Sequence, residues 1–91
     1  MATLSQNAPN PVFGQTRIAY QLKQDAHVEL SIYSLDGKMV SSLVDEQQSE
    51  GSHTIEWDGT SGNGTTLEPG IYIYTLKTNN YKVSKRLVLM R

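Results

Sequence analysis

The sequence predicts an all-β domain, an immunoglobulin-like antiparallel β-sandwich of about seven strands, and three observations carry that expectation. Apolar residues recur at every second position in successive runs: Ile18, Tyr20, Leu22; Val28, Leu30, Ile32; Ile55, Trp57; Tyr72, Tyr74, Leu76. This is the period of strands with one face in a core. Turn-forming residues separate the runs, and no segment carries helical spacing over three turns.

Taken in order, a leading strand is expected around Thr3 to Gln6. The following "NAPNP" cannot lie inside a paired central strand. Pro9 and Pro11 lack amide donors and push the residues before them toward extended geometry, so Ala8 to Pro11 reads as a stiff crossing from one sheet edge to the other. "TRIAYQL" opens the regular alternation. Asp36-Gly37 in "SLDGK" signals a tight hairpin of type I′, which needs positive φ at both central residues. Asn79 and Asn80 in "TNN" serve the last hairpin, since asparagine tolerates the left-handed region. Two longer connections are expected, Asp45 to Gly51 and Asp58 to Gly70; the second is rich in Gly, Ser, Thr and Asn.

Length bounds the rest. For 91 residues and 10.1 kDa, surface scaling gives about 5,300 Å² accessible when folded against about 15,000 Å² unfolded. One core and one domain over 1–91 follow, with residues 1–3 read as a start or linker. A formal net charge of -1 leaves no field to attract phosphates, so nucleic acid is not expected as a partner. No run of about eighteen apolar residues exists, so no membrane-inserted helix is expected. The absence of cysteine excludes disulfides and thiolate chemistry. "MATLSQ" has neither the basic nor the apolar region of a secretory signal.

Candidates for catalysis are thin. His27 and His53 are the two imidazoles, and neither has a second ligand at metal-binding spacing along the chain. His53 shares a face with Ile55 and Trp57 and reads as a locally hydrogen-bonded rim residue. The loop "DGTSGNG" fails EF-hand spacing, because Thr60, Gly62 and Pro69 stand where ligands belong; an irregular calcium site at Asp58 remains open beside a plain loop. Asn63-Gly64-Thr65 is a glycosylation sequon, relevant only in a eukaryotic secretory setting. The five tyrosines and Trp57 pose two readings. They form either a sugar-stacking platform or core packing, and the doubly apolar strand "GIYIYTL" favours the core. No catalytic residue and no cofactor or metal are expected.

The order "PNP", "IYSLDGKMV", "GSHTIEWDG", "LEPGIYIYTL" and "KRLVLMR" resembles the type A C-terminal sorting domain of type IX secretion cargo proteins. It also resembles the immunoglobulin-like domain of the flagellar hook-capping protein. The resemblance covers about Leu4 to Arg91 and rests on the motif residues Pro9, Asn10, Pro11, Gly37, Gly51, Gly70 and Tyr72, with Leu67 before the penultimate strand. Many members place phenylalanine directly after Pro-Asn-Pro; here Val12 precedes Phe13.

The resemblance implies a transport tag rather than an enzyme. Such a domain follows an upstream cargo domain and folds in the periplasm. It is recognised by the outer-membrane type IX translocon and its shuttle proteins, then removed by a sortase-like signal peptidase as cargo reaches the cell surface or is released. Cleavage is expected upstream of about Leu4. The alternatives are a structural hook-cap-type module and a carbohydrate-binding module.

The last stretch, Lys85, Arg86, Leu87, Val88, Leu89, Met90 and Arg91, is the segment expected to be read by the secretion machinery. Alternation sets Val83, Lys85, Leu87 and Leu89 on one face and Arg86, Val88 and Met90 on the other. Burying Leu87 and Leu89 contributes about 1.5–3 kcal/mol each. The second face leaves an apolar stripe beside Arg86 and Arg91, which suits a partner, most simply by strand addition at this edge. The chain's end at Arg91 is expected to be presented free.

Overall fold

Two antiparallel sheets make up the computed structural model, which describes residues 2–90. Seven strands follow in chain order: β1 (Ala2–Leu4), β2 (Thr16–Leu22), β3 (Ala26–Ser34), β4 (Met39–Gln48), β5 (Gly51–Trp57), β6 (Gly70–Thr78) and β7 (Tyr81–Leu89). The three-stranded sheet has the order β1-β2-β5 and the four-stranded sheet β4-β3-β6-β7. The sandwich and its strand number are those the alternation predicts. An accessible surface of 5348 Å² agrees with one compact core.

That core lies between the sheets and takes the even-numbered residues of β2, β3 and β6. Ile18, Val28, Leu30, Ile32, Tyr74 and Leu76 are fully buried, as are Leu87 and Leu89 of β7. Trp57 meets Tyr72 of the opposite sheet edge-on with ring centroids 6.3 Å apart, a geometry that adds to area burial. Its indole N–H donates to the Thr60 carbonyl at 2.9 Å.

Several local expectations change. The leading strand is Ala2–Leu4, so residues 2 and 3 belong to the fold, and Ala2 is buried. The β3–β4 hairpin is not type I′. Among the described residues only glycines have positive φ, so Asp36 stays in the right-handed region and Gly37 alone, at φ 90°, turns left. Gly37 N–H donates to Ser34 O at 3.0 Å and Ser34 N–H to Lys38 O at 2.9 Å. This is a type I turn closed by a left-handed glycine. Asp36 accepts from the Ser34 hydroxyl and Lys38 N–H, and these bonds hold its carboxyl below the usual aspartate range.

Asn79 and Asn80 likewise form their turn without the left-handed region. The supposed loop from Asp45 is mostly strand: β4 runs to Gln48 and β5 begins at Gly51. The long loop before β6 is tied down. Thr60 bridges Thr66, Gly62 N–H donates to Val40 O, and Leu67 N–H donates to Gly59 O.

The proline segment crosses between sheets as expected. Ala8 pairs with Arg17 of β2, and four residues later Val12 pairs with Leu89 of β7. Asn7 anchors the crossing. Its backbone N–H donates to the Tyr74 hydroxyl at 2.8 Å, and its amide donates to Thr16 Oγ1 and the Pro9 carbonyl. The Tyr74 hydroxyl in turn donates to Ser5 O at 2.7 Å. Val12 is completely buried whereas Phe13 is 69% exposed. The hydrophobic anchor after Pro-Asn-Pro is therefore Val12.

Candidate recognition surface

The closing strand has the two faces that its alternation predicts. Leu87 and Leu89 point inward and are fully buried, Val83 packs against the core, and Lys85 is half-buried at the rim. A partner of the folded domain cannot touch Leu87 or Leu89, so these two residues hold the strand in place. Arg86, Val88 and Met90 lie on the accessible side, with Met90 40% exposed. Arg91 lies outside the described residues.

Strand register shows what surrounds them. On the outer face of the four-stranded sheet, Met39, Tyr33, Ile73 and Arg86 form one cross-strand row over β4, β3, β6 and β7. Ile71 and Val88 form the row beside it. Met39 and Ile71 are 54% and 42% exposed. The next row inward is small and hydroxylic: Ser42, Ser31, Thr75 and Ser84, with Thr75 and Ser84 hydroxyls 2.8 Å apart. Beyond it stand Asp45, Glu29, Lys77 and Lys82.

The face thus grades from apolar at the Arg86 and Val88 end to charged at the other. A single-strand reading finds Val88 and Met90. It misses Tyr33, Met39, Ile71 and Ile73, which only register brings beside them. The signal available in sequence was the second apolar set in "GIYIYTL".

Strand addition at Val88 to Met90 is ruled out in this fold. Val88 N–H donates to Asn10 Oδ1 at 2.9 Å, Val12 N–H donates to Val88 O at 2.7 Å, and Met90 N–H donates to Val12 O at 2.7 Å. The Pro-Asn-Pro segment therefore straps the end of the edge strand. Asn10 offers a side-chain acceptor where the flanking prolines have no N–H, and Val12 adds a short parallel pair. Alternation turns the backbone groups of Lys82, Ser84 and Arg86 to the same side, and Arg86 O accepts from Gln6 Nε2 at 2.8 Å. Any strand added to β7 pairs near Lys82 and Ser84.

The remaining motif residues are architectural. Gly37, Gly51 and Gly70 all have positive φ, at the β3–β4 turn and at the starts of β5 and β6. Pro9 O accepts from Asn7 Nδ2 and Thr16 Oγ1, while Pro11 is exposed. Tyr72 is buried and donates its hydroxyl proton to Glu68 O at 2.6 Å.

Tyr20, Trp57, Tyr72 and Tyr74 are buried, the core packing that the doubly apolar strand favours, and Tyr81 packs against that core, whereas Tyr33 lies half-buried on the outer sheet face. His53 is the rim residue expected, stacked on Tyr20 at 5.4 Å and bonded through Nε2 to Ser49 O. Asp58 caps its own turn through Thr60 N–H and Oγ1. His27, by contrast, is not isolated: the fold sets Glu29 and Asp45 beside it.

This geometry is that of an immunoglobulin-like sandwich with a tied-down edge and a two-toned sheet face. The sequence matches the FlgD Ig-like domain model over residues 6–82, and the chain belongs to that family. No curated protein matches it in sequence. Among solved structures it is similar to dimeric latent PorU from Porphyromonas gingivalis, with a TM-score of 0.75 and 22% identity. It is similar to FlgD from P. aeruginosa at 0.67 and 21%, covering 90% of this chain and 71% of that one. It is also similar to PorZ, described as an essential bacterial surface component of the type-IX secretion system of P. gingivalis, at 0.64 and 15%. The matches cover 99% and 94% of this chain but only 9% of PorU and 11% of PorZ. At these identities the likenesses establish the fold.

Proposed function

We propose that this chain is a C-terminal sorting domain that carries an upstream cargo protein through the outer-membrane type IX translocon, for attachment at the cell surface or release. The observation that carries the proposal is the apolar end of the outer sheet face, where Val88, Ile71, Ile73, Tyr33 and Met39 gather around Arg86. A contiguous exposed apolar area on a small domain is the usual mark of a partner surface. The fold likeness to PorU and PorZ supports the type IX setting.

In this reading the domain performs no catalysis. Translocon and shuttle proteins bind the folded sandwich in the periplasm, and a sortase-like peptidase cuts ahead of β1. Ala2 to Leu4 belong to the sheet, which supports a cut ahead of them. Membership of the FlgD Ig-like family favours one other reading, a structural module of the hook-cap type.

Fusion to a folded reporter in a type IX-competent bacterium separates the two. The fusion is expected to reach the cell surface, and deletion of Lys85 to Arg91 is expected to hold it in the periplasm. Because that deletion removes core residues, Arg86→Ala serves as the folded control and is expected to reduce delivery without lowering Tm. Periplasmic retention of the intact fusion contradicts the sorting reading and leaves the structural one.

A further inference from the structure

From the cluster at the charged end of the four-stranded sheet we infer a binding site for a single zinc-class divalent metal ion, held by His27, Glu29 and Asp45. The inference is independent of the secretion reading. One ligand atom from each of the three side chains lies within 4.8 Å of the other two. His27 and Glu29 are two apart on β3 and share its outer face, and Asp45 of β4 is the register partner of Glu29. Two hydrogen-bonded strands fix the three Cα positions, so assembling the site requires only side-chain torsions.

The distances are close to what a metal demands. A tetrahedral ion with bonds of about 2.0–2.1 Å sets its ligands about 3.4 Å apart. His27 Nε2 and Asp45 Oδ1, hydrogen-bonded at 2.7 Å, would give up that bond and open by about 0.7 Å, and the widest separation needs to shrink by less than about 1.5 Å. The donor set selects the ion class. One imidazole with two carboxylates suits zinc, cobalt or nickel better than calcium or magnesium, which prefer all-oxygen ligands.

Electrostatics favour a cation here. Glu29 and Asp45 are like charges directly opposite each other in a sheet, an arrangement that costs stability. Lys77 faces Glu29 from β6, with Lys82 beyond it on β7, and Gln47 stands opposite His27. Lys77 therefore compensates Glu29 from one side only and competes with the metal for it. The ion would join the edge strand β4 to the centre of the sheet and leave an outward position for water.

Titration of the full 91-residue chain with zinc chloride at pH 7.5, followed by calorimetry and by Tm, tests this directly. One ion per chain is expected, with a rise in Tm, and cobalt is expected to give the visible absorption of a low-symmetry site. His27→Ala, Glu29→Gln and Asp45→Asn are each expected to weaken binding by about tenfold or more. Lys77→Ala is expected to tighten it, and His53→Ala to leave it unchanged. Absence of saturable binding at millimolar zinc in the folded wild-type chain overturns the site. So does binding that survives His27→Ala or that is lost with His53→Ala.

Discussion

Tyr74 is the residue on which the amino-terminal crossing depends. It is fully buried in β6, and its hydroxyl accepts from Asn7 N–H and donates to Ser5 O. Phenylalanine there keeps the ring but leaves the N–H of Asn7, itself buried, without a partner. Such a loss costs about 1–3 kcal/mol, and each kcal/mol lowers the Tm of a domain this size by about 4–8 °C. Thermal unfolding of Tyr74→Phe checks this.

Burial also raises the Tyr74 hydroxyl pKa, with the bond from Asn7 opposing in part. A phenol whose folded pKa lies above its unfolded value contributes fully below about pH 10 and loses that contribution as pH rises through the folded value. Tyr20 shifts in the same direction, again mainly through burial. Urea midpoints are therefore expected to hold steady from pH 7 to 9 and fall above about pH 10, less steeply in Tyr74→Phe. None of this pairing was legible in sequence. Tyr74 could be assigned to the core by period, but its partners stand 67 and 69 residues away.

At the scale of elements, the inner face of β7 carries stability and its outer face the proposed recognition. Leu87→Ala opens a cavity in the core and is expected to cost about 2–5 kcal/mol. Val88→Ser changes the outer face and is expected to stay within about 0.5 kcal/mol of wild type. Equilibrium denaturation of the pair gives the contrast. Strands with one buried face were readable because their period is unbroken. β4 was harder to bound, because register shifts after Leu30 and Ile32 break its alternation against β3, and its polar end "DEQQ" looks like loop.

Turn type was misread for a related reason. Asp-Gly is compatible with type I′ and with a type I turn closed by glycine, and the flanking register decides between them. The role of Asn10 was also invisible. Asn10→Ala is expected to leave the fold intact while speeding amide exchange at Val88, since the acceptor of that N–H is removed.

Across the whole molecule, the outer face of the four-stranded sheet carries a graded contrast, and the proposed function rests on it. Apolar side chains gather at the end where β7 closes, hydroxyls fill the middle, and charge occupies the far end with His27. The sandwich itself could be read from period, turns and length. The graded face could not, because it depends on which residues of four separate strands become neighbours. Val88 and Met90 alone were visible as an apolar stripe, while Leu87 and Leu89 of the terminal segment are core, as their alternation predicts.

Surface delivery of a reporter fused to Ile71→Asp/Val88→Asp, beside a fusion to Lys77→Ala/Lys82→Ala, decides whether the apolar end is what a partner reads. Both domains are first required to unfold at temperatures near wild type. Recognition at the apolar end predicts that the first fusion stays in the periplasm while the second is delivered normally. Normal delivery of the folded Ile71→Asp/Val88→Asp fusion would contradict it.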